Sequence, residues 1–160
     1  MGKAYFSDIY KDDGSTSLEH QLKVVSLFPR LIPSEHSSLL SRPVSLLEIE
    51  LSLKYFKKYR SPGPDGWPVE FYLHFFDLLS PVLLKTIDLT RTSGFIPPSL
   101  NSTFLALISK KDKPQTFADF RPISLCNLLY KLTAKIIAGR LKPFLDSGIS
   151  QEQFGFLKDR

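Results

Sequence analysis

The sequence predicts an α+β protein that is mainly helical and has one short antiparallel β-hairpin. Apolar residues recur at helical spacing over residues 45–60, 68–94 and 125–142. A short run at 103–108, apolar on both faces, is followed by a lysine-rich turn and a second short run that ends at Ile123. The 160 residues, 42% of them hydrophobic, suffice for one modest core.

Residues 1–43 carry short apolar patches separated by Gly, Ser and Pro, which predict a partly ordered lead-in. Residues 44–101 then predict a helical extension. Its first helix begins at Ser45, which with Glu48 forms an S-x-x-E capping box. Its last turn is expected to carry three cations that suit the negative end of the helix dipole. They are Lys57, Lys58 and Arg60.

The motif SPGPDG at residues 61–66 predicts a tight connector, because its prolines lack the amide hydrogen that a helix needs and its glycines permit successive turns. Pro68 is well placed to open the second helix, which has an aromatic side suited to burial. Ser80 and Pro81 are expected to cap and start a third helix that ends at Gly94.

Residues 102–145 predict the hairpin and a basic helix. The first strand is expected to be buried, and Pro122 restricts the second strand to an edge or an early end. Ser124 or Asn127 can cap the next helix. Asn127 and Tyr130 are expected to pack or cap this helix, and residues 146–160 form a link to whatever follows. The apolar face of the helix holds Leu125, Leu128, Leu129, Leu132 and Ile136.

Positive charge is concentrated in one segment. The chain has a formal charge of +5 and a pI near 9.3, and residues 103–145 alone hold eight basic and two acidic side chains. Lys131, Lys135 and Lys142 fall on one edge of the last helix, about 40° wide. A polyanionic partner fits this pattern, and so does an ordinary solvated face.

The single cysteine, Cys126, excludes an internal disulfide and fits a small buried side chain in a reducing compartment. The histidines His20, His36 and His74 stand far apart, so no metal site is expected. The sequence contains no apolar run near the length of a membrane span and no apparent leader. We therefore expect an intracellular protein, nuclear or cytoplasmic, that does not contact a membrane.

Five motifs occur in an order that resembles the N-terminal part of the reverse transcriptase of plant LINE-type (non-LTR) retrotransposons. They are SPGPDG, NSTFLALISK, DFRPISLCN, LYKLTAKIIAGRLKP and ISQEQFGF, and the resemblance runs from about Val44 to Phe156. It implies the extension and fingers of a right-hand polymerase. Ser109, where the family usually has proline, and Asp159, where it usually has glycine, depart from the pattern.

The resemblance implies that Lys110 and Arg121 contact the triphosphate of the incoming nucleotide. Arginine can bind phosphate oxygens through both arms of its fork, and lysine acts as a mobile point charge. The alternative, in which neither residue binds a ligand, is that Arg121 pairs with Asp119 and that Lys110 is merely solvated. Asp119 and Phe120 are expected to shape the hairpin. The candidates for template or primer contacts are Lys131, Lys135, Arg140 and Lys142.

Tyr10, Lys11, Asp12 and Asp13 spell the Y-x-D-D signature of reverse transcriptases. They precede the fingers segment, contain a charged residue where the family has a small or apolar one, and run into Gly-Ser-Thr-Ser. We interpret them as a surface turn. No residue of the chain is therefore assigned as catalytic or as a metal ligand.

The resemblance thus implies a fragment of an RNA-directed DNA polymerase, and we expect it to be inactive by itself. The expected partners are an RNA template, a DNA primer and an incoming deoxynucleotide, with Mg²⁺ required by the full-length enzyme and no cofactor bound by this fragment. A palm domain is expected to pack on the C-terminal end, where Phe154 and Phe156 lie. The alternatives are a non-catalytic nucleic-acid-binding module and a retroelement relic without function.

Overall fold

The computed structural model describes residues 2–11, 14, 17–27, 32–149 and 152, and in these residues it has eight α-helices and one sheet of two antiparallel strands. The helices are α1 (Gly2–Ile9), α2 (Leu18–Ser26), α3 (Ser37–Ser41), α4 (Leu46–Tyr55), α5 (Val69–His74), α6 (Phe76–Ser93), α7 (Pro98–Asn101) and α8 (Leu128–Gly148). The strands are β1 (Thr103–Ser109) and β2 (Phe120–Cys126), and short 3-10 helices lie at Ser34–His36 and Phe117–Asp119. The mainly helical α+β class is confirmed.

The chain divides into two compact units. The first combines Met1–Leu31 with Leu107–Pro122, and the second combines Ile32–Ala106 with Ile123–Arg160. The segment boundaries expected from the sequence stay predictions. None of the helices in the described part of the chain is both long enough and apolar enough to cross a bilayer.

Helices α4, α5, α6 and α8 supply the core of the second unit. Leu128, Leu132 and Ile136 of α8 are buried at every fourth position, which is the spacing of one helical face. They pack in one cluster with Val44, Ile49, Leu53, Val69, Tyr72, Leu83 and Ile87. The apolar stripe predicted on the last helix is therefore confirmed at Leu128, Leu129, Leu132 and Ile136. The expectation for Leu125 is wrong, because this residue lies in β2. Of the lysines beside the stripe, Lys142 is exposed, and Lys131 and Lys135 are half-buried.

In the first unit, aromatic rings join α1 to the turn of the hairpin. Phe6 is buried, and its ring centroid lies 6.2 Å from that of Phe117 in an edge-to-face arrangement. Tyr5 lies 5.6 Å from the same ring. Gly2 faces Phe117 so closely that a Cβ would lie 3.1 Å from the ring. The lead-in is thus ordered here by contact with the hairpin turn.

The first predicted helix begins where expected and ends earlier than expected. The Ser45 hydroxyl accepts a hydrogen bond from the Glu48 backbone N–H at 3.2 Å. The reciprocal half of the capping box is replaced, because the Glu48 carboxylate binds Arg140 instead. The expectation that Lys57, Lys58 and Arg60 occupy the last turn is wrong: α4 ends at Tyr55, and the basic residues lie beyond it.

The predicted break at Ser80 and Pro81 is also wrong. Both residues lie inside α6, and the chain breaks at Phe75 instead. Pro81 cannot donate to the carbonyl of Asp77, but the Ser80 hydroxyl approaches that carbonyl at 3.5 Å and partly replaces the missing donor. The predicted end at Gly94 is confirmed by its left-handed backbone, with φ of 66°.

The expectation of a buried first strand is wrong as well. All residues of β1 except Ala106 are exposed, and Phe104 is 57% exposed. Strand β2 continues through Pro122 to Cys126, beyond the predicted end at Ile123. In a sheet of two strands each strand is an edge, so proline is tolerated at a position where its missing N–H would face away from the partner.

Candidate nucleotide and nucleic-acid interface

Asp119 organises the turn of the hairpin. Its carboxylate accepts hydrogen bonds from the backbone N–H groups of Gln115 at 2.8 Å and Thr116 at 2.9 Å, and Thr116 completes a capping box with it. The Lys111 ammonium lies 2.9 Å from the other carboxylate oxygen. The hydrogen bond from Lys111 and those from the two backbone amides hold the pKa of Asp119 far below its usual range. The predicted shaping role of Asp119 is confirmed.

Lys110 is fixed across the same turn. Its backbone N–H donates to the Asp119 carbonyl at 2.8 Å, and its ammonium donates to the Ala118 carbonyl at 2.8 Å. It is therefore not merely solvated. An ammonium has three N–H donors, so two remain for a ligand at this exposed position.

Arg121 is exposed, and its guanidinium makes no hydrogen bond or ion pair with the described residues. The alternative pairing with Asp119 is not formed, because the carboxylate is occupied by Lys111 and two backbone amides. The hydrogen bond between Lys110 and Asp119 implies a register in which Ile108 lies opposite Arg121. Lys110 and Arg121 are then diagonal neighbours on one face, with Cα atoms roughly 7 to 8 Å apart.

Three lysines of α8 form the basic ridge, defined here as Lys131, Lys135 and Lys142. The Lys135 ammonium lies 3.3 Å from the centre of the Tyr55 ring, a cation–π contact that fixes its position. Lys142 pairs with Asp146 at 2.9 Å, one helical turn further on. The Lys131 side chain makes no hydrogen bond or ion pair with the described residues.

Arg140 has surroundings that the sequence did not indicate. Its guanidinium donates to both Glu48 carboxylate oxygens, at 2.8 and 2.7 Å. It also donates to three carbonyls, those of Leu40 at 3.0 Å, Arg42 at 2.6 Å and Pro43 at 3.2 Å. These five bonds match the five N–H donors of the group, and the side chain is only 8% exposed. We therefore assign it a role in tying α8 to the start of α4 and omit it from the ridge.

The ion pair between Arg140 and Glu48 shifts the pKa of each group so that the charged form is favoured. The hydrogen bond from Arg140 is the largest cause that lowers the pKa of Glu48, and it outweighs the opposing effect of burial. The same bond raises the pKa of Arg140. Both groups therefore stay ionised in this contact at neutral pH.

Asn127 links the SPGPDG connector to the start of α8, which is a role that sequence reasoning missed. Its side chain, with the residue only 2% exposed, accepts from the Asp65 backbone N–H at 3.1 Å and donates to the Ser99 carbonyl at 2.9 Å. Gly63 is packed against it so closely that a Cβ would lie 2.4 Å from the Asn127 nitrogen. Asn127 occupies the N-cap position, as expected, but its side chain makes no capping hydrogen bond and holds the connector instead. Ser124, the other expected cap, lies in β2.

Several predicted features lie at or beyond the limits of the described residues. Asp12 and Asp13 of the Y-x-D-D sequence lie outside them, as do Phe154, Phe156 and Asp159. Within the described residues, no group of three or more His, Cys, Asp or Glu side chains could hold a metal ion. One of the histidines, His36, packs against an aromatic ring instead: it contacts the Phe144 ring edge-to-face, with centroids 5.2 Å apart.

No protein-family model matches the chain. The chain is similar to the uncharacterized 149 kDa protein of transposon TX1 from Xenopus laevis, with 33% identity over 114 residues. The match covers 71% of this chain and 9% of the transposon protein. The chain is therefore related over most of its length to a small part of a transposon-encoded protein.

Proposed function

We propose that this chain is part of the RNA-directed DNA polymerase of a LINE-type retrotransposon, in which it contacts the incoming nucleotide and the template–primer. The observation that carries the proposal is the exposure of Arg121 and its lack of a partner among the described residues. The nearby Asp119 carboxylate is bound by Lys111 and two backbone amides instead. Similarity to a transposon protein supports the same assignment.

Lys110 and Arg121 fit one triphosphate. In the inferred register their Cα atoms are roughly 7 to 8 Å apart on one face of the hairpin, so both long side chains can reach neighbouring phosphate groups. The Arg121 fork binds two oxygens of one phosphate, and Lys110 adds a point charge. Both cations would hold the pyrophosphate portion in line while the primer hydroxyl attacks the α-phosphorus. Two magnesium ions held by carboxylates elsewhere in the full-length protein would carry the chemistry.

The basic ridge fits a nucleic-acid backbone. Lys131 and Lys142 are separated by eleven residue steps of α8, which span about 16 Å along the helix axis. A strand of duplex carries one phosphate per roughly 3.4 Å of axis, so the ridge spans about five phosphates. The contact of Lys135 with Tyr55 holds the middle cation in place. Such contacts position a strand without reading its sequence.

Nuclear magnetic resonance titration of the chain with deoxythymidine triphosphate tests the nucleotide assignment. We expect saturable shifts at the amides of the hairpin turn, abolished in Arg121→Ala and weakened in Lys110→Ala. Lys113→Ala is the matched control, because Lys113 is exposed in the same turn and has no side-chain partner among the described residues. Equal losses in Lys113→Ala and Arg121→Ala would show general attraction to positive charge and would contradict the assignment.

A further inference from the structure

A cleft of about 160 Å³ lies where the chain leaves α4 and meets the start of α8. Its lining includes Lys57 and Arg60 from the segment after α4, Trp67 from the connector, and Lys131 from the ridge. The sequence assigned Lys57 and Arg60 to a helix end, but α4 has already ended at Tyr55. The fold therefore brings Lys131 of α8 to two cations and an indole that lie close together in the segment after α4.

Trp67 lines this cleft and is supported by a second aromatic ring. Its ring stacks on Phe71 with centroids 4.1 Å apart and an interplanar angle of 29°, and the residue is still 47% exposed. The Trp67 backbone N–H donates to the Asp65 carboxylate at 3.2 Å, and the Asp65 backbone is held by Asn127. An aromatic ring that is supported on one face and held by its backbone is preorganised for stacking.

The cations of the cleft have no competing partners within the part of the chain that the structure describes. The side chains of Lys57, Arg60 and Lys131 make no hydrogen bond or ion pair with the described residues. Phosphate groups are the ligands that such unpaired cations attract, and Arg60 can bind them through two donors.

The segment that carries the cations is held in an unusual conformation. Tyr59 is 91% exposed, and its φ is 57°. Among the residues described, no other non-glycine residue has a positive φ. The Tyr59 backbone N–H donates to the Glu70 carboxylate, which fixes this conformation. Residues held in such sparsely populated backbone conformations cluster at functional sites.

We propose that the cleft binds one nucleotide of a single-stranded polynucleotide, with the base stacked on Trp67 and its phosphates between Lys57, Arg60 and Lys131. Aromatic stacking beside a cationic groove is how proteins bind single strands without sequence preference. A base paired in a duplex does not expose its face, so the site selects unpaired segments. This inference rests on the proposed nucleic-acid function and extends it, since Lys131 joins the cleft to the ridge.

Trp67 is the one tryptophan of the chain, so its fluorescence reports on this cleft alone. The chain is titrated with end-labelled oligo(U), oligo(dT) and a blunt duplex, following tryptophan emission and label anisotropy in parallel. We expect oligo(U) and oligo(dT) to quench the emission with the same midpoint as the anisotropy change, and the duplex to bind without quenching. The RNA and DNA arms show which polynucleotide the cleft prefers.

Variants separate the stacking from the charges. Trp67→Ala is expected to weaken oligo(U) binding roughly five- to 150-fold, while Trp67→Phe retains most of the affinity. Lys57→Ala with Arg60→Ala should reduce the salt slope of oligo(U) binding by about 1.4. The controls are Phe95→Ala and Lys85→Ala, an aromatic residue and a cation that are exposed and do not line the cleft. The double variant leaves the Trp67 and Phe71 stack intact, so its result does not depend on tolerance of Trp67→Ala.

Two outcomes would overturn the inference, and they differ in what they imply. If oligo(U) binds without quenching and Trp67→Ala matches Phe95→Ala, the cleft is not a nucleotide site, while the proposed function survives. If none of the three nucleic acids binds, the proposed function fails together with the inference.

Discussion

Replacing Arg140 by alanine removes a buried group that makes five hydrogen bonds. The guanidinium satisfies the Glu48 carboxylate and the carbonyls of Leu40, Arg42 and Pro43, with its side chain 8% exposed and that of Glu48 20% exposed. Loss of Arg140 leaves a largely buried carboxylate without its counterion and three carbonyls without a donor. Removing one partner of a buried ion pair costs about 3 to 5 kcal/mol.

That loss is large relative to the stability of a small domain, which is typically about 5 to 15 kcal/mol. Arg140→Lys keeps the charge but offers three donors where the site uses five, so its loss should be intermediate. Arg91→Ala is the matched control. Arg91 also pairs with an acid, Asp88 at 2.8 Å, but its side chain is 33% exposed. Surface pairs contribute about 0 to 1 kcal/mol.

Urea unfolding followed by circular dichroism at pH 7 measures these free energies. We expect the order of stability to be wild type, then Arg91→Ala close to it, then Arg140→Lys, and Arg140→Ala last. An Arg140→Ala loss below about 1 kcal/mol, or one equal to the Arg91→Ala loss, would refute the assignment of Arg140 to the architecture.

Three further predictions concern the stability of the second unit. The pKa of Glu48 is lowered in the folded state, so the unfolded state binds the proton at higher pH. The free energy of unfolding should therefore fall as the pH drops from about 4.3 through the folded pKa. Urea unfolding of the wild type and of Arg140→Ala across this pH range should show a weaker dependence in the variant. Asn127→Ala should cost about 1 to 3 kcal/mol in the same assay at pH 7, because it leaves the part-buried N–H of Asp65 and the carbonyl of Ser99 without their partner. Gly63→Ala should lower the melting temperature more than Gly66→Ala does. A Cβ at Gly63 would lie 2.4 Å from the Asn127 backbone, whereas Gly66 has open space and only the cost of its φ of 76°. An equal effect of the two substitutions would contradict the close packing of the connector.

Local patterns predicted much of this fold. The spacing of Leu128, Leu132 and Ile136 marked the buried face of α8, and the composition of SPGPDG marked a connector. These features depend on neighbours in sequence, so periodicity and turn chemistry describe them. The break near Ser80 was misplaced because a hydroxyl supplied in part the hydrogen bond that Pro81 removes, and sequence patterns do not show that compensation.

The candidate site was only partly predictable, because its decisive contacts are long-range. Lys110 and Arg121 were identified through a resemblance, and their expected roles stay predictions. Arg140 has the same charge as the ridge lysines, and only the fold shows that its acid partner lies 92 residues earlier. Lys57 and Lys131 likewise meet in one cleft although nothing in their local sequence relates them.

The salt dependence of binding to a primed RNA template tests the central claim most directly, because counterion release counts the phosphates that the ridge neutralises. Lys131→Ala with Lys135→Ala removes two ridge contacts, and Lys85→Ala with Lys113→Ala removes the same charge from exposed positions outside the ridge. We predict that the slope of log affinity against log salt becomes shallower by roughly 1.4 to 1.8 in the ridge variant and changes little in the control. An unchanged slope in the ridge variant, or an equal change in both variants, would contradict the account of α8 as a nucleic-acid-binding helix.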